Sequence, residues 1–386
     1  MLPEDFAAID LSRYELLLRA VDAVGLPSYL GSTLRGAFGH ALKDAVCVMP
    51  HRNCERCMVV DRCAYPYIFE TPPPQNISIL RGQQRVPHPF ILTPPIPNLR
   101  ESSPSQKPGE MPEPARTVHL NDGRAVRLVQ SQNLSGPSMR RNLKRGDQVA
   151  FELSLLGRAT EYMPYVVYAV SEMARHGLGA DRGRFELDEV ALVDEHGASR
   201  RIFSGETQRI TVPNQATKNL SDLIGRRLEQ LAESDYFRAD MIGMSFVTPA
   251  RIRVEGDLQV GLSFDLLVRN LLRRVSLLAA VHGRAPLDLD YRGLIELAGS
   301  VKTHSSSLRW WDWERYSNRQ RTKMNLGGFV GEIFYEGEAV RELLPLLAAG
   351  EILHIGGGTS FGLGKYHIVV PNSNGSGIIE GSSNQG

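Results

Sequence analysis

Leu353-His354-Ile355-Gly356-Gly357-Gly358-Thr359-Ser360-Phe361-Gly362-Leu363-Gly364-Lys365-Tyr366 is the stretch on which the reading of the fold turns. It places five glycines within nine residues, between an apolar run (351–355) and a strand-like run (366–370). Glycine at that density lets backbone N–H groups approach a ligand and take positive φ, which suits a phosphate-cradling loop. A nucleotide-binding P-loop is excluded, because no Gly precedes the Gly364-Lys365 pair by five residues and Tyr366 stands where Ser or Thr would hold Mg²⁺. A dinucleotide fingerprint is excluded too, since Phe361 takes the third Gly position and a strand follows. The expectation is a glycine loop (356–364) between two strands, ending in Lys365. The competing reading is a wide hairpin whose glycines only permit the turn.

Working outward, 386 residues suggest two domains, and 42% hydrophobic residues support ordinary cores. With 44 basic against 43 acidic residues there is no global field, so an anionic partner must be met by local basic patches. The acidic start (1–10) fits neither a signal nor a transit peptide, and no apolar stretch reaches membrane-span length. A cytoplasmic protein without membrane association is expected.

Cys47, Cys54, Cys57 and Cys63, the only four cysteines, fall in one short segment (47–63). Four thiolates clustered around a C-x-x-C match a tetrahedral zinc site. An iron–sulfur cluster takes the same ligands and ranks second. Two disulfides are the plain alternative, disfavoured in a reducing compartment. Either metal would be structural, because a site closed by four Cys leaves no open position for catalysis.

In chain order, 11–24 alternates as a strand with Tyr14, Leu16, Leu18 and Ala20 on one face. Ser32 or Thr33 is expected to cap a helix with Leu34, Ala37, Phe38, Ala41, Leu42 and Ala45 as its apolar face. Arg35, His40 and Lys43 lie off that stripe, Arg35 and Lys43 sharing one side two turns apart, with Tyr29 just ahead. Imidazole both takes and gives a proton near neutral pH, though a lone His at a helix edge is more often only a polar residue.

Residues 65–70 read as a strand, 71–116 as a Pro-rich loop with a short strand at 89–93, and 101–113 as a disordered surface segment. Arg140, Arg141, Lys144 and Arg145 form a basic cluster that reads either as a solvated face or as an anion contact. Strand 148–156, helix 160–176 and strand 184–193 complete the split βαβ order of a ferredoxin-like domain. After a helix at 220–233 the order repeats: strand 244–253, helix 264–282, strands 301–313 and 326–336, helix 339–348 and the last strand. The expected class is α+β, two tandem ferredoxin-like (βαββαβ, RRM-like) domains. Residues 1–205 form the first, carrying the four-cysteine metal-binding insertion, residues 206–371 the second, and 372–386 a disordered Ser/Gly/Asn-rich tail.

Arg309, Arg315, Arg319, Arg321 and Lys323 interleave with Trp310, Trp311, Trp313 and Tyr316. Cations for phosphates beside aromatics that stack on bases make a single-stranded RNA surface, although some of these rings must be core. On alternation Trp310 and Trp311 cannot both face inward.

These motifs together resemble the CRISPR-associated endoribonucleases of the RAMP superfamily, which cut CRISPR repeat transcripts into guide RNAs in antiviral defence. The resemblance is carried by Gly31-Ser32-Thr33-Leu34-Arg35-Gly36-Ala37-Phe38-Gly39-His40-Ala41-Leu42, the cysteines followed by Tyr67-Ile68-Phe69-Glu70, Arg315-Tyr316-Ser317-Asn318-Arg319-Gln320, Gly327-Gly328-Phe329-Val330-Gly331 and the glycine loop. It implies cleavage without a catalytic metal or small-molecule cofactor: the ribose 2′-OH attacks the adjacent phosphate, leaving a 2′,3′-cyclic phosphate and a 5′-OH. It further implies His40 as acid or base, with Arg35 or Lys43 stabilising the phosphorane and Tyr29 as a weaker candidate. Gly356, Gly357, Gly358, Thr359, Ser360, Phe361, Gly362, Gly364, Lys365, Arg315, Arg319, Arg321 and Lys323 are the implied RNA contacts, and other CRISPR effector subunits the implied protein partners. The superfamily also includes non-catalytic subunits that hold the guide RNA's 3′ hairpin, for which His40 is dispensable.

Overall fold

The structure, a computed structural model, describes residues 1–73, 86–95, 116–119, 125–128, 141–211, 213, 217–233, 240–259, 261–312, 314–317, 322–325 and 327–369. The segment 101–113, the tail 372–386, Arg140, Arg319 and Arg321 lie outside them.

The first unit is organised on β1 (Asp10–Ala20), where Tyr14, Leu16, Leu18 and Ala20 are buried on one face, as the alternation requires, and Leu11 is buried on the other. α1 (Gly31–Val46), β2 (Phe90–Thr93), β3 (Gln148–Leu156), α2 (Met163–His176) and β4 (Phe185–Val193) follow, then β5 (Ser199–Ser204) and β6 (Arg209–Ile210). Their antiparallel sheet runs β6-β5-β4-β1-β3-β2, with Leu16 opposite Phe151 on one side and Val190 on the other. Leu34, Phe38, Ala41 and Leu42 of α1 and Val166, Val170 and Met173 of α2 share one core with Tyr14, Leu16 and Leu18.

α3 (Leu220–Ala232) leads into the second unit: β7 (Met241–Ala250), α4 (Phe264–His282), α5 (Tyr291–Ala298), β8 (Lys302–Ser306), β9 (Arg309–Trp311), β10 (Glu314–Ser317), β11 (Thr322–Asn325), β12 (Gly328–Glu336), α6 (Ala339–Leu353) and β13 (Tyr366–Val369). Its sheet runs β8-β12-β7-β13 with β9 also on β12, while β10 and β11 pair as a separate ribbon. Both units therefore place their first and third long strands at the sheet centre, in a mixed α and β fold with antiparallel sheets. The second core also takes in Phe6, Ile9 and Leu11, Ile91 of β2 and Leu156 of β3, so the seam between the units is apolar.

Four local expectations are corrected. Residues 65–70 form a π-helical turn, Pro66–Glu70, ending at Thr71 with φ 39°, in place of a strand. α1 starts at Gly31 after Leu30 without a side-chain cap, so neither Ser32 nor Thr33 caps it; the Leu34 amide donates to the Leu30 carbonyl instead. The strand expected over 301–313 is split in two. Gly331, at φ 114°, lies opposite the break, and a Cβ on it would lie 2.6 Å from the Ser307 carbonyl. The apolar run at 351–355 is largely the last turn of α6, so the glycine loop joins a helix to a strand. α6 is buried along most of its length, which hides a helical period from the sequence.

Candidate functional site

The glycine loop docks on the N-terminal half of α1, across the seam between the units. Tyr29 Oη donates to the Phe361 carbonyl at 2.8 Å, and Arg35 Nε donates to Ser360 Oγ at 2.9 Å. The approach is close enough that a Cβ on Gly31 would fall 1.9 Å from the Phe361 carbonyl oxygen. Tyr29 is fully buried, which pushes its phenol well above its ordinary value. Its hydroxyl thus serves as an anchor for the loop.

Inside the loop, Gly356, Gly358, Gly362 and Gly364 take φ between 75° and 84°. The amide of Gly357 donates to Arg251, those of Phe361 and Leu363 to Gly358, that of Gly362 to Thr359 and that of Gly364 to Pro249. Thr359 and Ser360 are buried, whereas Gly357 is exposed. Lys365 Nζ lies 3.3 Å from Glu152 of β3, and the Lys365 amide donates to Thr248. The loop's amides are therefore spent within the second unit, and its links to the first are those of Phe361 with Tyr29, Ser360 with Arg35 and Lys365 with Glu152.

His354, with φ 57°, closes α6; its ring reaches Thr93 Oγ1 at 3.4 Å and the Leu363 carbonyl at 3.3 Å. Complete burial, with Lys365 and Arg274 nearby, drives its pKa well below that of free histidine. The Arg274 guanidinium donates to the Leu353 carbonyl.

Arg35 lies between two rings, 4.4 Å from the Phe361 centroid and 5.1 Å from that of Phe69. Phe69 stacks on Tyr65 at 5.7 Å, and Lys43 Nζ sits 4.9 Å from the Tyr65 centroid. The two cations do share one side of α1, with the Phe69–Tyr65 pair spanning between them. His40 is on a different, exposed face with Gly36 and Asp44. On helical geometry it lies about 140° round the axis from Arg35 but is a neighbour of Lys43, three positions on. The structure thus brings Arg35 and Tyr29 to the loop, and His40 and Lys43 to an outer edge of the same helix.

All four cysteines line one cavity of about 20 Å³, together with Lys43, Val46 and Tyr65. Burial pushes the Cys54 and Cys63 thiols up. None is in a disulfide, and among the described residues no group of three or more His, Cys, Asp or Glu is arranged to hold a metal ion.

Of the basic, aromatic stretch, Arg309 and Trp311 share one face of β9, and Trp311 meets Tyr29 edge-on at 6.2 Å. Arg315 and Lys323 lie on the β10–β11 ribbon. Sequence reasoning missed His88, Thr71, Phe69, Glu152 and His354. His88 sits in the Pro-rich stretch, where no spacing ties it to Arg35, 53 positions away.

Residues 9–113 and 131–215 match a family described only as an N-terminal domain, and residues 244–366 match the CRISPR-associated endoribonuclease Cas6. An uncharacterized protein of Archaeoglobus fulgidus is 24% identical over 348 residues, which cover 89% of this chain and 92% of that one. Among solved structures, a partial Cas6-RT-Cas1–Cas2 complex is similar over 94% of this chain at 12% identity and a TM-score of 0.50, the match spanning 46% of the larger chain. Thermus thermophilus Cas6 is similar over 94% of this chain and 100% of its own at 14% identity, with a TM-score of 0.44. No described helix is long and apolar enough to cross a membrane. The second unit, with its docked glycine loop, is the part of the chain matched to the family of CRISPR-associated endoribonucleases described as Cas6.

Proposed function

We propose that the protein cuts CRISPR repeat RNA in precursor transcripts to release guide RNAs, without a catalytic metal. The observation that carries this reading is the joint use of α1. Its N-terminal half holds the glycine loop of the Cas6-like unit, and its outer edge presents His40 next to Lys43. RNA lying across that edge brings a 2′-OH and the adjacent phosphate to a side chain that can serve as general acid or base. In this role Lys43 offsets charge on the phosphorane. Arg35 and Tyr29 serve the reaction by fixing the loop, with Arg315, Arg319, Arg321 and Lys323 along the RNA path. The strand orders of the two sheets support two tandem ferredoxin-like domains, with the cysteine segment as an insertion in the first.

Cys47, Cys54, Cys57 and Cys63 would hold a structural zinc, or less favourably an iron–sulfur cluster. Their soft thiol donors around a shared cavity fit such a group. When bound it staples the segment beneath Tyr65 and Lys43, and it takes no part in the cleavage.

The test is incubation of purified protein with repeat RNA in excess EDTA, comparing wild type with His40→Ala and mapping the ends. Wild type is expected to cut at one site and leave a 2′,3′-cyclic phosphate, and His40→Ala to lose at least about a hundredfold in rate. Undiminished cutting by His40→Ala would remove His40 from the chemistry. One observation favours a second reading, a non-catalytic guide-RNA-binding subunit of an effector complex: Arg35 and Tyr29 are committed to holding the loop. Equal RNA binding by both proteins, with no cleavage by either, would establish it.

A further inference from the structure

His88 precedes β2 and is partly buried, with its ring stacked on Phe90 at 5.8 Å. Arg35 Nη2 lies 3.2 Å from its Nε2, and Thr71 Oγ1 lies 3.0 Å from its Nδ1. A guanidinium can only donate, so Nε2 accepts and the ring proton sits on Nδ1. That N–H donates to Thr71, whose hydroxyl donates onward to the Tyr67 carbonyl at 3.1 Å. The chain Tyr67, Thr71, His88, Arg35, Ser360 thus runs from the π-helical turn to the glycine loop. Its members come from four separate segments of sequence.

Two observations set this chain apart from incidental packing. Thr71 is held at φ 39°, a left-handed conformation that a β-branched residue adopts only under outside constraint. His88 is also kept neutral, its pKa lowered to about 3 by burial first and then by Arg35, His282 and Arg274. A charged ring would turn Nε2 into a donor facing the Arg35 guanidinium, and the contact would break.

We infer that His88 is a positioning residue: its neutral ring locks the Arg35 guanidinium on Ser360, and so registers the glycine loop against the helix that carries His40. This rests on the RNA-cleaving reading above for its functional half. Arg35 supplies the contact with the loop, and His88 sets where that contact is made. A loop released from α1 loses the placement that an RNA bound to both units needs.

The test uses the full chain with His88→Gln, whose amide oxygen can still accept from Arg35, and His88→Phe, which keeps the stacking on Phe90 and removes the acceptor. Amide exchange at Phe361, Gly362, Leu363 and Gly364 is expected to accelerate about tenfold or more in His88→Phe and to stay near wild type in His88→Gln, with α4 unchanged in both. Repeat-RNA cleavage should fall about ten- to a hundredfold in kcat/KM for His88→Phe and recover with Gln. Unchanged loop exchange in His88→Phe, or equal loss in both variants, overturns the inference; so does a loosened loop with wild-type cleavage. If wild type itself neither binds nor cuts RNA, the cleavage reading fails, and the exchange comparison alone decides whether His88 holds the loop.

Discussion

Gly31 and Gly36 sit on the same helix and meet opposite surroundings. A methyl on Gly31 would collide with the Phe361 carbonyl and the Tyr29 ring, both fixed by their mutual hydrogen bond. Gly31→Ala should cost about 1–3 kcal/mol in urea unfolding, as overpacking does where backbone cannot yield. A methyl on Gly36 meets nothing within 4 Å, so Gly36→Ala should stabilise the free protein by about 0.5–1 kcal/mol through helix propensity. Gly36 is also one turn before His40 on the exposed edge. If RNA lies close along that edge, the same substitution should weaken repeat-RNA binding measured by titration while raising the melting temperature. Sequence alone placed Arg35, His40 and Lys43 on one helix with Tyr29 just ahead of it, because the apolar residues there recur at helical spacing. It could not give Arg35 its partners, because Ser360 is 325 positions away and a stretch without periodicity supplies His88.

Three histidines, His282 and His354 buried and His88 partly so, stand where elements of the two units meet. His282 ends α4, with Nε2 2.8 Å from the Pro87 carbonyl and Nδ1 3.3 Å from Tyr67 Oη; His88 precedes β2; His354 closes α6. Burial lowers all three, His282 to about 4 and His88 to about 3, with Arg274 contributing at each. Because their folded values lie below the unfolded value near 6.5, folding releases protons. Their stabilising contribution is complete above about pH 6.5 and declines as pH falls toward 4 and then 3. At pH 5 the loss should be on the order of 1–2 kcal/mol for each of His282 and His88. The check is the urea midpoint at pH 7.5 against pH 5.0; a His282→Gln variant should show a shallower decline. α4 was legible to the residue, because it has a period on one side and Gly283 beyond its end. The end of α6 was not, because burial on nearly every side leaves no polar face to mark it.

At the scale of the whole molecule, two sheets of like strand order share an apolar seam, and the cysteine segment stands outside it. The alternation of elements was legible because most of the strands and helices, α6 apart, carry their own period. The seam was not, because Leu11, Ile91 and Leu156 are single apolar residues on the outer face of their sheet, with nothing in sequence to name the second core that covers them. Val48, Met58 and Val59 are exposed around the thiols, and Ala64 and Ile68, with Tyr65, Tyr67 and Phe69 packed alongside, tie the segment's end to a core. Zinc-loaded protein should therefore protect all four thiols from iodoacetamide. EDTA should expose them and lower the melting temperature by several degrees, with far-ultraviolet circular dichroism largely retained. A global loss of structure on chelation would mean that the segment supports the sheets themselves. The contact between Arg35 and Ser360 has a further consequence in time. On the ribosome, α1 emerges long before the loop that docks on it. A nascent chain can build its first sheet and display His40, yet it has no glycine loop to dock there. The surface proposed to handle RNA is thus completed only after more than 300 further residues have followed α1 out of the ribosome.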